Sequence, residues 1–214
     1  MYVPEHFSET RLEALHGLML RHPFAILCSY GQNGLDANHI PFELDTNGSE
    51  LGRLHAHLAR ENPLAQELAD GAEVLVVFRA EHAYISPQWY PSKQEFHKQV
   101  STWNYQVVHA QGRAKLRDDK NYLLRVIGRL TKTHEAELAT QWKMSDAPRE
   151  FIDLLLTQIV GIEIEITRLT GKFKLSQNKE ERDINGAAEA LKQQGRFELA
   201  EAMQKAAEEK ASSE

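Results

Sequence analysis

The dipeptide Asn-Gly occurs twice between short apolar runs, at Asn33-Gly34 and Asn47-Gly48. Tight two-residue hairpin loops need positive φ at their centre, which Asn and Gly tolerate, so this pair is the strongest local signal for antiparallel strands. FAILCSY precedes the first turn, LDANHIPFEL lies between the two, and LHAHLA follows the second. The spacing predicts three antiparallel strands over Phe24 to His57. More strand-like runs follow at Val74 to Phe78, at AYIS within His82 to Ser101, and at Thr102 to Leu116. In GIEIEITRL, Ile162, Ile164 and Ile166 alternate with Glu163 and Glu165, as a half-exposed strand requires. Six or so short strands at hairpin spacing predict a mainly β chain with peripheral helices, closed into a small barrel.

The helices are read from apolar spacing and caps. Ser8 is a candidate N-cap for a helix reaching Arg21, with Leu12, Leu15, Leu18 and Met19 on one side. Pro63 opens a short helix carrying Leu64, Leu68 and Ala69. Asp118 is read as the cap of a helix with Leu123, Leu124, Ile127 and Leu130 inward. A further helix from Pro148 to Gln158 puts Phe151, Leu154, Leu155 and Ile159 at the buried spacing. These two form a helical insertion at about 118–158. The segment His82 to Ser101 is expected to be a strand and then a long loop. The first domain is expected to span 1–186, and 187–214 to form a charged helical tail of two short helices with a frayed end.

Composition removes several classes. With 42% hydrophobic and 26% charged residues, 214 residues can bury an ordinary globular core. No run approaches the roughly 20 apolar residues of a membrane span, and MYVPEHF lacks a basic and apolar leader, so a cytoplasmic protein without membrane contact is expected. The single cysteine, Cys28, lies in an apolar run and is read as a small buried hydrophobe. No G-x-S-x-G, Walker or G-x-G-x-x-G motif occurs. The net charge of −6 argues against a tight, direct DNA contact.

Three polar constellations could carry chemistry. In LHAHLARENP, His55 and His57 lie two apart on a strand and share a face, and Arg60 and Asn62 follow where a helix starts. A strand entering a helix N-terminus beside an arginine is a plausible phosphate cradle. In SPQWYPSK, Trp89 and Tyr90 sit between prolines beside Ser92 and Lys93, suited to covering a planar phosphorylated ligand or to capping the barrel. Thr102, Trp103 and Asn104 open the next strand. In GKFKLSQN, Lys172, Lys174 and Ser176 share one strand face, with Gln177 and Asn178 beyond; alternating lysines also protect edge strands. His39, His55 and His57 could be read as metal ligands, but no local spacing supplies a fixed third ligand, so no metal residues are assigned.

Taken together, MYVPEHF, HIPFEL, LHAHLARENP, YISPQWYPSK, TWNYQVVHAQG and GKFKLSQN resemble the FMN-binding negative transcriptional regulator family, the PaiB-like proteins, in the family's order from Met1 to about Gly186. The resemblance implies a split β-barrel of the pyridoxamine-phosphate-oxidase type, a homodimer, and FMN at the subunit interface. It implies cofactor contacts from Asn38, His39 and Ile40, from His55, His57, Arg60 and Asn62, from Trp89, Tyr90, Ser92 and Lys93, from Thr102, Trp103 and Asn104, and from Lys172, Lys174 and Gln177. Lys179 stands where the family often has arginine; it keeps the charge without the bidentate fork. The function implied is FMN binding in transcriptional regulation. A flavin-dependent oxidoreductase and a haem- or metal-binding protein on the same barrel are the alternatives, and no catalytic residue is assigned.

Overall fold

The computed structural model describes residues 1–32, 34–68 and 71–211. Asn33 of the first expected turn, Ala69 of the expected short helix and the last three residues of the expected tail lie outside the described residues. In chain order come β1 (Ser8–Glu9), α1 (Leu12–Arg21), β2 (Phe24–Gly31), β3 (Gly34–Pro41), β4 (Glu43–Asp45), β5 (Arg53–Ala59), α2 (Leu64–Glu67) and β6 (Ala72–Ile85). There follow α3 (Pro91–Phe96), β7 (Thr102–Arg117), α4 (Lys120–Glu135), α5 (Arg149–Leu156), β8 (Ile159–Lys174), α6 (Glu181–Gln193) and α7 (Phe197–Ala211). The sheet order is β3-β2-β6-β7-β8-β5-β4, with β1 paired to β8. The ladders of β2 with β3 and β6, of β5 with β4 and β8, and of β1 with β8 are antiparallel. The mainly β class with helices expected from the hairpin spacing is the one adopted. Among the described residues no helix is long and apolar enough to cross a membrane.

The chain divides into two compact units, one of 1–18, 79–108 and 170–214, the other of 19–78 and 109–169. In the first, α6 and α7 bury Ile184, Ala187, Leu191, Leu199 and Met203 together with Ile85 and Tyr90. The C-terminal segment therefore forms core helices of 13 and 15 residues, and residue 186, the expected boundary, lies inside α6. Ser8 does not cap α1. It pairs with Lys172 as strand, and the helix begins at Leu12 after Glu9 Oε1 has accepted the Arg11 N–H at 2.8 Å. The segment after His82 is not a short strand and long loop: β6 runs unbroken to Ile85, and prolines at the first helical positions start a 3₁₀ turn at Pro87–Trp89 and then α3.

In the second unit, 24–57 forms four strands, not three, because the run is interrupted at Phe42, which turns into the core beside Phe78. The hairpin at Asn47-Gly48 is present, with Gly48 at φ 72°. Asp119, not Asp118, caps α4, accepting the Tyr122 N–H at 2.7 Å. On α5 the expected inward residues Phe151, Leu154 and Leu155 are exposed. The helix is two turns long and meets α4 through Ile152 and the buried Leu156. Half-buried Cys28 sits on β2.

Tyr122 closes α4 onto the sheet. Its hydroxyl donates to the Ile162 carbonyl at 2.9 Å and lies 2.9 Å from His55 Nδ1. The ring stands over Gly161, where a Cβ would come within 2.4 Å of it and 3.0 Å of the Arg117 carbonyl. Neither neighbour can retreat, so Gly161→Ala should destabilise the fold by about 1–3 kcal/mol through overpacking. Gly128 inside α4 has its nearest atom, Met144 Sδ, at 3.9 Å. There the same change should stabilise by about 0.5–1 kcal/mol from helix propensity. Urea unfolding of the two variants checks the opposite signs.

Candidate functional site

The chemistry-bearing motifs of the first unit converge on two faces of its sheet. Successive strand residues point to opposite sides. Ala83 and Ile85 of β6, and Phe173 of β8, pack against α6 and α7. Asn104 of β7 turns the same way, fully buried, with its amide donating to Ser176 Oγ at 2.9 Å and reaching Met203 Sδ at 3.3 Å. The intervening residues form the other face. Trp103 is 54% exposed there, stacked with His82 at 6.1 Å and 29° and edge-on to Tyr84 at 6.1 Å. Lys172 lies 5.5 Å from the Tyr105 ring centroid and 5.9 Å from that of Tyr2. Lys174 donates to Thr102 Oγ1 and, at 2.7 Å, to the Trp103 carbonyl.

Two alternate lysines beside the rings of Trp103, Tyr84, Tyr105 and Tyr2 make this face aromatic and cationic. Neither lysine forms an ion pair with a carboxylate among the described residues. Burial, reinforced by Lys172 and Lys179, pushes the Lys174 pKa below its ordinary value. A half-buried ammonium repelled by its like neighbours is stabilised by an anion. A ligand with a planar ring and a phosphate satisfies both halves of the face, so the residues present fit a flavin mononucleotide.

The other sequence-selected residues of this unit are structural neighbours of that face. Tyr90 is fully buried in the core and Trp89 packs against it, so the pair cap the apolar cluster. Gly186 lets α6 close on them, since a Cβ there would meet the Trp89 carbonyl at 2.5 Å. Ser92 donates from its backbone N–H and its hydroxyl to buried Asp183, at 2.9 and 2.6 Å. Lys93 donates to Gln88 at 2.9 Å. Gln177 is turned onto its own backbone, bonding Leu175 N–H and the Phe173 carbonyl. Ser176 does not share the lysine face: at φ 69° the chain has left the strand and the hydroxyl faces Asn104.

In the second unit the residues separate further. Asn62 donates to Asn38 at 2.7 Å and accepts the Leu64 N–H at 2.9 Å. Arg60 grips Asp118 with both terminal nitrogens, at 2.8 and 2.6 Å, and bonds the carbonyls of Thr157 and Ile159 at 2.9 Å. Its guanidinium thus staples the strand end to the helical insertion. The helix it precedes, α2, is a single turn of four residues, too short for an appreciable dipole. His55 is buried against Tyr122; because that hydroxyl donates to Ile162, His55 Nδ1 carries the proton and donates in turn. Burial holds the pKa of both His55 and His57 below the ordinary histidine value. His39 is exposed on β3 near Phe24, and Ile40 is half-buried beside it. Among the described residues no group of three or more His, Cys, Asp or Glu side chains is arranged to hold a metal.

A family model described as "Putative FMN-binding domain" matches residues 1–168. The chain belongs to that FMN-binding family. An uncharacterized protein of Emericella nidulans, AN0679, is 31% identical over 91% of this chain and 92% of its own. Protease synthase and sporulation protein PAI 2 of Bacillus subtilis is 28% identical over 89% of each chain. Among solved structures, the FAD and heme binding protein of Mycobacterium smegmatis matches with TM-score 0.54 and 20% identity, over 78% of this chain and 73% of that one. The flavocytochrome Anf3 of Azotobacter vinelandii matches at TM-score 0.57 and 11% identity, over 80% and 72%. These similarities establish the split-barrel fold class expected from the sequence, and FMN is the family's cofactor. The family match ends before β8 reaches Lys172 and Lys174.

His82, Tyr84 and Tyr105 were not selected from the sequence. Their signal was only a period of two in AEHAYI and TWNYQ, which becomes informative once the strands are adjacent. Since the free lysine site has a lowered pKa and a bound phosphate raises it, FMN affinity should be full below that value. It should then weaken as pH rises through it toward the ordinary lysine value of 10.5. Titration of FMN binding from neutral to alkaline pH should show this slope in the natural chain and lose most of it in Lys174→Ala.

Proposed function

We propose that the chain holds FMN on the outward face of the first unit, with the ring against Trp103 and Tyr84 and the phosphate toward Lys172, Lys174 and Thr102. The observation that supports this reading most is the pair of half-buried lysines with no carboxylate partner beside exposed aromatic rings. When bound, FMN supplies electron and hydride transfer, while the protein supplies binding, orientation and electrostatics. The chain's own part is to desolvate the ring with Trp103 and Tyr84 and to neutralise the phosphate with the two ammonium groups.

We further propose a regulatory role that works through the flavin and not through tight DNA contact. The Bacillus relative is named for protease synthesis and sporulation, which fits a regulatory role. The helix pair α6 and α7 is joined by three residues around Gly195, the connection length of DNA-reading helix pairs. Yet α7 carries Glu198, Glu201, Glu208 and Glu209 against Lys205 and Lys210, which repels a phosphate backbone. A flavin-dependent oxidoreductase is the second reading, favoured by the exposure of Trp103 and Tyr84, which leaves room for a second planar reactant. A homodimer fits the apolar side chains exposed on the β2–β3 edge, Phe24, Tyr30 and Leu35.

Three measurements test these readings. Trp103→Ala should weaken FMN binding by roughly tenfold through lost ring coverage, with little change between low and high salt, and fluorescence quenching reads it. Unchanged affinity would remove the ring from this face. Mobility-shift assays should give no salt-sensitive nanomolar complex with duplex DNA, and sedimentation should give a species of twice the chain mass.

A further inference from the structure

The backbone on either side of Lys174 is held by a side chain further along the chain. The ladder of β8 with β1 ends at the pair Ser8 and Lys172, before the strand itself ends at Lys174. Past Lys174 the chain leaves the sheet: Leu175 is buried, and Ser176 stands at φ 69° with its hydroxyl on Asn104. Gln177 then folds back. Its amide oxygen accepts the Leu175 N–H at 2.8 Å, and its amide nitrogen donates to the Phe173 carbonyl at 2.6 Å. One carboxamide therefore gives the two residues that flank Lys174 a donor and an acceptor, as a residue of a neighbouring strand would. The partners fix its orientation, because a peptide N–H requires the oxygen and a carbonyl requires the nitrogen.

What this clamp holds is the last residue of the strand. A lysine side chain is long and flexible, so an ammonium at a strand end samples many positions unless both its backbone and its tip are held. Here the tip donates to Thr102 Oγ1 and to the Trp103 carbonyl, and lies 5.8 Å from the Phe7 ring centroid. All three partners are neutral, so they place the charge without neutralising it. A cation fixed in advance loses less freedom when it binds an anion than a mobile one does.

We infer that Gln177 is the positioning residue of the anion site: its carboxamide clamps the peptides around Lys174 and so keeps the ammonium at Thr102 and Trp103, poised for a phosphate. This rests on the proposed placement of FMN. Gln177 acts through Lys174, since its oxygen and one amide N–H are spent on the backbone, whereas the family resemblance implies a direct cofactor contact. The consequence is selective. Removing the clamp costs affinity for ligands that carry the phosphate and leaves the ring contacts at Trp103 and Tyr84 in place.

The test is a double-mutant cycle on FMN and riboflavin affinity, read by calorimetry with the full chain. Gln177→Ala should weaken FMN about tenfold and change riboflavin by less than about twofold. In the Lys174→Ala background the same change should cost FMN less than about twofold, because the group it positions is gone. The alkaline fall in FMN affinity should also begin at higher pH in Gln177→Ala, since a released ammonium regains water and its pKa returns toward the ordinary lysine value. Should the alanine variant fail to fold, Gln177→Met carries the same cycle with the same expected pattern, because it keeps the length and bulk of the side chain and removes both bonds. Three results overturn the clamp and leave the site standing, provided that Lys174→Ala weakens FMN: unchanged FMN affinity in the Gln177 variants, an equal loss with and without Lys174, or equal losses for FMN and riboflavin. If Lys174→Ala and Trp103→Ala leave FMN affinity unchanged, the placement of FMN fails and the clamp falls with it.

Discussion

The two-residue period of β7 is the constraint on which the rest of the first unit depends. Asn104 must turn inward to meet Ser176 and Met203, and Trp103 and Tyr105 are thereby forced outward. A one-residue slip of a strand exchanges its two faces. It would turn Trp103 and Tyr105 into the core and place the amide of Asn104 in solvent. The helices α6 and α7 enforce the register, since they supply the apolar surface that Ala83, Ile85 and Phe173 require. The outward face is thus a by-product of the inward one, and its lysines and rings are placed by the core behind them.

Electrostatics sets the lysine pair of β8 apart from the chain's ion-paired arginines. In the second unit three arginines have carboxylate partners: Arg60 holds Asp118, Arg117 holds Glu163, and Arg129 reaches Glu43 and Asp45. These exposed or half-exposed pairs contribute little individually, but they fasten the helical insertion to the strands beneath it. In the first unit Lys172 and Lys174 donate to the neutral oxygens of Tyr2, Thr102 and Trp103 and lie beside aromatic rings. Those arginines are consumed by structure, as are Arg11, Arg182 and Arg196 of the first unit, whereas the lysine pair is available to an anion.

The antiparallel class was legible because hairpin turns and period-two alternation are local. The pattern Ile162, Ile164, Ile166 is buried as read, and Thr102 to Leu116 is a strand. Features that depend on distant partners were not legible. Arg60 and Asp118 are 58 residues apart, His55 and Tyr122 are 67 apart, and nothing in LHAHLARENP announces either contact. Asp118 and Asp119 are equivalent caps by type, and only the path of the chain chooses between them. The charged composition after Gly186 suggested a tail, whereas the small residues of INGAAEAL serve close packing of α6 against Trp89 and Pro91. Of the candidate residues, Trp103, Lys172 and Lys174 were read from the motifs. Tyr84, Tyr105 and His82 required the neighbouring strand.

In the proposed FMN site the lysine pair on β8 recognises the phosphate of a planar ligand stacked on Trp103. Comparing the affinities of FMN and riboflavin by calorimetry tests it directly, because the two ligands share the ring and differ in the phosphate. The natural chain should bind FMN at least about a hundredfold more tightly, as expected when charge-assisted hydrogen bonds to two ammonium groups are lost. In the double variant Lys172→Ala, Lys174→Ala that preference should fall to within about threefold, with riboflavin binding unchanged. A double variant that keeps the full preference for FMN would overturn this placement and move the phosphate to another part of the chain.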